Sequence, residues 1–253
     1  WPSVLFFDIE TLPLVGYAWD VWKTDIQPVQ LIKDWCVLSW SAKWYGDDRI
    51  MSDILKPREC EARDDKRLMQ SFWPLLDQAD VVIAQNGRDF DVKKVNTRFL
   101  MHRMPPPSSY KLIDTLLALR SVFAMTYNKQ DFVNAELGLQ RKIKTDFELW
   151  KRCDRGERKA LAEMRAYNET DILGLESLYV RLRPWVKNHP RLTAYDKVQG
   201  VCPYCFGAIS DNGYYQAAQN RYKEYRCTSC GGVSHETRPV REEVSTRKKR
   251  AAR

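Results

Sequence analysis

Asp8 and Glu10 stand two residues apart in the run Val4-Leu5-Phe6-Phe7-Asp8-Ile9-Glu10-Thr11, whose β-branched and aromatic content predicts a strand. Residues two apart in a strand share a face, so both carboxylates point one way while Phe7 and Ile9 point the other. Two acids in an apolar strand are costly unless a positive charge lies between them. A divalent cation meets that need, because carboxylate oxygens suit Mg²⁺ or Mn²⁺ and leave water positions open for substrate oxygens. A strand end reaching solvent accounts for the pair equally well.

Asp91 adds a third acid. It follows the apolar run Val81 to Ala84 across Asn86-Gly87-Arg88-Asp89-Phe90 and opens a helix, in the region beyond a strand's carboxyl end where open α/β sheets place ligands. Asp91 would serve as a helix cap instead, but Asp89 competes for that place. Tyr167 and Asp171 are four apart in a helical segment and share a face, so a phenol and a carboxylate can meet one substrate. Ala166, Leu173, Leu175, Leu178 and Leu182 are expected to supply the buried side, and a link from Asp171 to Arg165 or Arg181 is the structural alternative. Four converging acids repel one another unless cations fill the site. Two ions about 3.5 to 4 Å apart would neutralise them, polarise a phosphodiester and activate a water. No Ser/His/Asp or Cys/His arrangement competes, since His102, His189 and His235 lie far apart in sequence and read as surface or capping residues.

The elements that must position these groups follow from periodicity. Trp35 to Trp44 and Arg49 to Leu55 read as strands joined at Gly46-Asp47-Asp48, beside the opening strand. Helices are predicted over 64–77, after Asn86-Gly87, through Phe132 to Leu137, and from Leu161 through Trp185. Asp80 to Ala84 is a short strand, and Lys111 to Leu119 a strand or turn leading into a helix. An α/β sheet with a helical cover is the economical architecture.

After Gly200 the pattern changes. Cys202-Pro203-Tyr204-Cys205 and Cys227-Thr228-Ser229-Cys230 form two C-x₂-C pairs separated by 21 residues. Four thiolates on two tight knuckles suit a structural, tetrahedral Zn²⁺, with Gly207 and Gly231 where turns are needed; free thiols or disulfides are the alternatives. Cys36, Cys60 and Cys153 have no pairing spacing, as expected in a reducing compartment. Residues 200–236 look like a zinc ribbon. Between its knuckles Tyr214, Tyr215, Tyr222 and Tyr225 interleave with Arg221, Lys223 and Arg226, a pattern that allows rings to stack on bases and cations to meet phosphates. Packing of the tyrosines in the ribbon's own core explains them as well.

Phe7-Asp8-Ile9-Glu10-Thr11, Asn86-Gly87-Arg88-Asp89-Phe90-Asp91 and Tyr167-Asn168-Glu169-Thr170-Asp171 together resemble the DnaQ-like, DEDD-type 3'-5' exonucleases on a ribonuclease H-like fold. The Tyr-x-x-x-Asp form resembles the tyrosine-bearing DEDDy branch, and Ile113-Asp114-Thr115-Leu116, Leu137-Gly138-Leu139 and Leu178-Tyr179 extend the similarity over about residues 1–190. The resemblance, which reaches to viral or phage exonucleases, implies an α/β fold, a mixed sheet with antiparallel opening strands flanked by helices. It further implies that Asp8 bridges two Mg²⁺ or Mn²⁺ ions, that Glu10 and Asp171 hold the ion activating water, and that Asp91 supports the second. Tyr167 would orient or help deprotonate the nucleophile, with Asn86 and Asp114 in support. Gln85 stands where many relatives carry His, and the stretch 120–165 has no close counterpart.

The expected organisation is a nuclease domain over 1–195, the zinc ribbon over 200–236 and a basic tail over 237–253. Net charge is +8, and its surplus lies late: residues 1–115 carry 15 Lys+Arg against 17 Asp+Glu, 116–199 carry 16 against 11, and 200–253 carry 10 against 5. Such asymmetry favours a polyanionic partner. Single-stranded DNA 3' ends are the expected substrate, with RNA as a second substrate and a replication or recombination protein as a further partner. A structure-specific endonuclease using the same ions and a non-catalytic adaptor acting through the ribbon are the alternatives. No run of eighteen apolar residues and no basic-then-apolar leader is seen, so a soluble, cytoplasmic location is expected, in the host cytoplasm for a viral source.

Overall fold

A computed structural model describes residues 2–22, 25–218 and 220–240. Residues 241–253, most of the expected basic tail, lie outside the described residues. The chain divides into two compact units, Pro2–His189 and the part from Pro190 onward.

In the first unit β1 (Val4–Leu12) is followed by a small pair, β2 (Val15–Gly16) and β3 (Leu31–Lys33), that sequence periodicity does not predict. β4 (Cys36–Trp44) and β5 (Ile50–Ile54) lead to α1 (Pro57–Ala62) and α2 (Lys66–Gln78). Then come β6 (Val81–Ala84), α3 (Asp91–Met101), β7 (Lys111–Asp114), α4 (Thr115–Val122), α5 (Gln130–Glu136), α6 (Phe147–Asp154) and α7 (Arg158–Leu182). The sheet order is β5-β4-β1-β6-β7, with β4 antiparallel to both β1 and β5, and β6 parallel to both β1 and β7. β1 is central because nearly every residue of Val4–Leu12 is apolar and buried, the exceptions being the acids and Thr11. Its alternation divides the core: Phe7 packs on Phe72 of α2, whereas Phe6 packs on Tyr179 of α7.

α1 and α6 are absent from the periodicity reading. Six and eight residues are too few to show a period, and α6 sits in the charged stretch with only Leu149 and Cys153 buried. The buried side of α7 also differs from expectation. Met164, Asn168, Asp171, Leu175, Leu178 and Leu182 face inward at alternating three- and four-residue steps, which leaves Ala166 exposed and turns Leu173 outward.

The second unit holds α8 (Thr193–Asp196) and an antiparallel sheet of β8 (Ile209–Ala217), β9 (Asn220–Cys227) and β10 (Val233–His235), ordered β10-β9-β8. No helix among the described residues is long and apolar enough to cross a membrane.

Candidate active site

Strand β1 sets Asp8 opposite Ser41 and Glu10 opposite Ser39 of β4, and the register shifts just beyond Glu10. Helix α7 crosses that face, and carboxylate oxygens of Asp8, Glu10 and Asp171 lie within 4.8 Å of one another. Asp91 stands outside this group of three. It is the first residue of α3, it is buried, and its Oδ1 accepts from the Ile9 amide at 3.2 Å, which ties it between Asp8 and Glu10 on the strand.

The turn that delivers Asp91 is specified by chemistry. Asn86 adopts a left-handed φ of 62°, and a Cβ on Gly87 would lie 2.4 Å from that of Ala84, so no larger residue fits there. The Asp114 carboxylate accepts from the amides of Asn86 at 3.1 Å and Arg88 at 3.0 Å while capping α4 through Leu116 and Leu117. Asp114 therefore holds the turn, not the acids themselves. Asp89 caps nothing: it pairs with Arg88 and Lys93, and Phe90 occupies the cap position.

Two side chains to which the sequence reading gives no role complete the centre. Asn168 donates from Nδ2 to Asp8 Oδ2 at 2.7 Å and accepts from Ser39 Oγ at 3.1 Å. Lys142, from the loop between α5 and α6, donates to Asp171 Oδ2 at 2.5 Å, and its ammonium lies 5.7 Å from the Tyr167 ring centroid. Asp171 thus binds Lys142, not Arg165 or Arg181; Arg165 reaches Ser52 and Glu169. The loop is anchored by α5: Asn134 Nδ2 donates to the Gln140 carbonyl at 2.6 Å and the Gly174 carbonyl at 3.1 Å, and Gln130 Nε2 donates to the Asp171 carbonyl at 3.1 Å. A Cβ on Gly174 would come within 2.9 Å of Gln130 Nε2 and 3.0 Å of Asn134 Nδ2, so a side chain there would displace the two amides that anchor the loop.

Burial dominates the electrostatics. It pushes the Asp8 carboxyl up to about 7, Lys142 opposing and Asp171 reinforcing the rise. Glu10, Asp91 and Asp171 are raised by the same desolvation, Glu10 and Asp91 further by Asp8. Asp171 Oδ1 is buried with no hydrogen-bond partner, a lone pair left for a cation. An all-carboxylate donor set with a vacant buried oxygen suits a hard divalent ion. Burial also raises the Tyr167 phenol, which packs edge-on against Trp150.

Residues 42–183 match the family model RNase_H_2, the RNase_H superfamily. The chain belongs to the RNase_H superfamily. The matched span contains Asp91, Lys142, Tyr167, Asn168 and Asp171 and begins after β1. The fold of this superfamily member is similar to that of the family B DNA polymerase from the hyperthermophilic archaeon Pyrobaculum calidifontis, with a TM-score of 0.51 at 18% identity over 73% of this chain and 26% of that one. The chain thus spans about a quarter of that polymerase's length. No curated protein sequence matches it.

The second unit of this RNase_H-superfamily chain carries the cysteine cluster. The four Sγ atoms of Cys202, Cys205, Cys227 and Cys230 lie within 4.8 Å of one another, with Cys202–Cys230 at 3.7 Å and Cys205–Cys227 at 3.6 Å. A tetrahedral site with Zn–S near 2.3 Å has edges of about 3.8 Å, so the cluster fits Zn²⁺. Amides of Ser229 and Cys230 donate to Cys227 Sγ and, against the opposing effect of burial, bring its thiol down to about 6. The two knuckles differ in one detail from expectation. Gly231 supplies a left-handed φ of 74°, but in the first knuckle Phe206 does so, and Gly207 is needed because a Cβ would lie 2.5 Å from Ser229 Oγ.

The histidines are better partnered than expected. His102 reaches buried Asp65 at 2.6 Å, His189 is buried against the Tyr179 hydroxyl at 2.7 Å, and His235 stacks on Tyr215. Cys36, Cys60 and Cys153 are buried free thiols, each pushed up to about 12 by desolvation.

Proposed function

We propose that the chain is a metal-dependent nuclease of the DEDDy type, a 3'-5' exonuclease that releases nucleoside 5'-monophosphates from single-stranded DNA ends, with RNA as a second substrate. The observation that carries this is the meeting of Asp8 and Glu10 on β1 with Asp171 on α7, carboxylates more than 160 residues apart within 4.8 Å, beside the orphaned Asp171 Oδ1. Asp8, Glu10, Asp171 and Asp91 would hold Mg²⁺ or Mn²⁺, and the four cysteines a structural Zn²⁺. Divalent ions there supply charge to the scissile phosphate and lower the pKa of water.

The chain's own groups divide the remaining work. Tyr167, whose phenol burial raises, would orient the attacking water by hydrogen bonding or help deprotonate it. Lys142 places a fixed ammonium beside Asp171, where negative charge grows as the phosphodiester is attacked. Asn168 fixes the Asp8 carboxylate so that neither oxygen swings away from the centre.

Product analysis on labelled single-stranded DNA, duplex DNA and RNA, with free and blocked 3' ends and added Mg²⁺ or Mn²⁺, tests the proposal. Mononucleotides from free ends and none from blocked ends are expected. Internal fragments from blocked substrates would instead assign a structure-specific endonuclease, and binding without turnover an adaptor.

A further inference from the structure

Cations of the β8–β9 hairpin are engaged within the second unit, Lys223 with Asp211 and Arg226 with Asn212 and the Gly231 carbonyl. Those around the starts of α1 and α7 are not. Between the end of β5, the start of α1 and the first turns of α7 lies an open groove of about 900 Å³, wholly inside the first unit. Its walls meet where Gly156, at a left-handed φ of 71°, packs on Pro57; a Cβ there would lie 3.0 Å from the Pro57 Cα and carbonyl oxygen. Ile54, Pro57, Leu161 and Ala162 give the groove an aliphatic floor. Lys56, Arg58 and Arg158 also line it, all three exposed and with no ion-pair partner among the described residues. A fourth cation in the lining, Arg165, is held by Glu169. Among the described residues the one acid in the lining is Glu59, and both its oxygens are taken by the Arg67 guanidinium at 2.8 and 2.9 Å.

An apolar floor rimmed by uncompensated charge of one sign marks an interaction surface. Its occupant must bring negative charge to three uncommitted cations and apolar side chains to the floor. Single-stranded nucleic acid brings the first and not the second, because bases bind by stacking on rings and no aromatic residue lines the groove. An acidic peptide with large aliphatic side chains brings both. From Arg158 to Arg165 the helix wall runs about 10 Å at 1.5 Å per residue, which matches about three residues of extended chain. We propose that this groove docks a short acidic, aliphatic peptide of a partner protein, with its carboxylates on Lys56, Arg58 and Arg158. The proposal goes beyond the nuclease reading and needs neither metal nor catalysis.

Fluorescence anisotropy with the full chain tests it, the probe being an equimolar pool of fluorescein-labelled octapeptides built from Asp, Glu, Leu and Ile. Saturable binding is expected, and a pool with Ser in place of Leu and Ile should bind about tenfold more weakly. Arg58→Glu/Arg158→Glu should raise Kd about tenfold or more, whereas Arg58→Lys/Arg158→Lys should keep it within about threefold. Ala162→Trp, which fills the floor and leaves the charge unchanged, should also raise Kd about tenfold. An unchanged melting transition of the first unit establishes that each variant keeps its fold. Absence of saturable binding, or equal affinity of the parent and the charge-reversed chain, overturns the proposal. The converse pattern overturns it too: charge reversal that weakens binding of a labelled oligothymidylate, on an Asp8→Asn background, and spares the peptide pool assigns the groove to nucleic acid. Either outcome leaves the nuclease assignment standing, because cleavage of free 3' ends is measured separately.

Discussion

Asn168 Nδ2 lies 2.7 Å from Asp8 Oδ2, joining the helix that carries Asp171 to the strand that carries Asp8 and Glu10. The amide is fully buried and spends its carbonyl oxygen on Ser39, so its orientation is fixed from both ends. Replacement by Ala leaves the half-buried Asp8 carboxylate without its donor and buried Ser39 without its acceptor. Asn168→Ala is expected to lower stability by about 1–3 kcal/mol and to weaken Mn²⁺ binding. Asn168→Asp, which adds a fifth acid to the centre, should be worse in the absence of metal and partly rescued by it. Urea denaturation with and without Mn²⁺ checks both; equal midpoints for Asn168→Ala and the parent would contradict the assigned role.

Lys142 offsets part of the centre's negative charge, pairing with Asp171. Its partner Asp171 is 1% exposed, whereas the lysine side chain keeps 27% exposure, so removal of the lysine costs less than breaking a fully buried pair, about 2 kcal/mol. Lys142→Met should therefore destabilise the ion-free chain by that amount, and saturating Mn²⁺ should shrink the difference. Activity should fall about 10²-fold, as for loss of one preorganised charge, with kcat more affected than KM. A Lys142→Met enzyme with parental kcat removes the lysine from the mechanism.

The raised carboxyls set a pH dependence of definite sign. Asp8 moves from an ordinary 3.8 to about 7 on folding, so folding favours its protonated form. Its contribution to stability is complete below about pH 4 and is lost as pH rises through about 7. Glu10, Asp91 and Asp171 shift in the same direction. The ion-free chain should lose Tm between about pH 4 and pH 7, and the loss should be smaller in Asp8→Asn. Metal binding must release these protons, so the Tm gain from Mn²⁺ should grow over the same interval, as should hydrolysis. Calorimetric scans at several pH values with and without Mn²⁺ suffice; a metal-induced gain that is flat with pH argues against ionisation at this site.

What could be read from residues alone follows from period. Asp8 and Glu10 are visible because two acids interrupt an apolar strand at a spacing of two, and Tyr167 and Asp171 because a spacing of four shares a helix face. Asn168 was within reach of the same logic, since it stands three before Asp171 on that face. Lys142 was not. It is one of eleven Lys and Arg residues in 120–165, in a loop with no period, and its position depends on Asn134 gripping the Gln140 carbonyl. Phe206 at positive φ and the face-to-face packing of His235 on Tyr215 are likewise set by tertiary contacts that leave no trace in spacing.

The two units are expected to fold separately, the second through its cysteine cluster. Among the described residues the second unit buries little besides Cys202, Cys227 and Leu192 of its apolar side chains, too small a core to hold its three strands. Coordination free energy would then be folding free energy for this part, whereas the first unit has its own core around β1. Cys227→Ser, or chelation, should unfold residues 200–236 and leave the first unit's melting transition in place. Cys227 is the informative position because, against the opposing effect of burial, the Ser229 and Cys230 amides and the Cys205 and Cys230 thiols lower its thiol to about 6. Limited proteolysis should cut the variant within the ribbon and spare the first unit, and metal analysis should find less than one zinc per chain. Retention of a full equivalent in Cys227→Ser would show that the ion is held elsewhere.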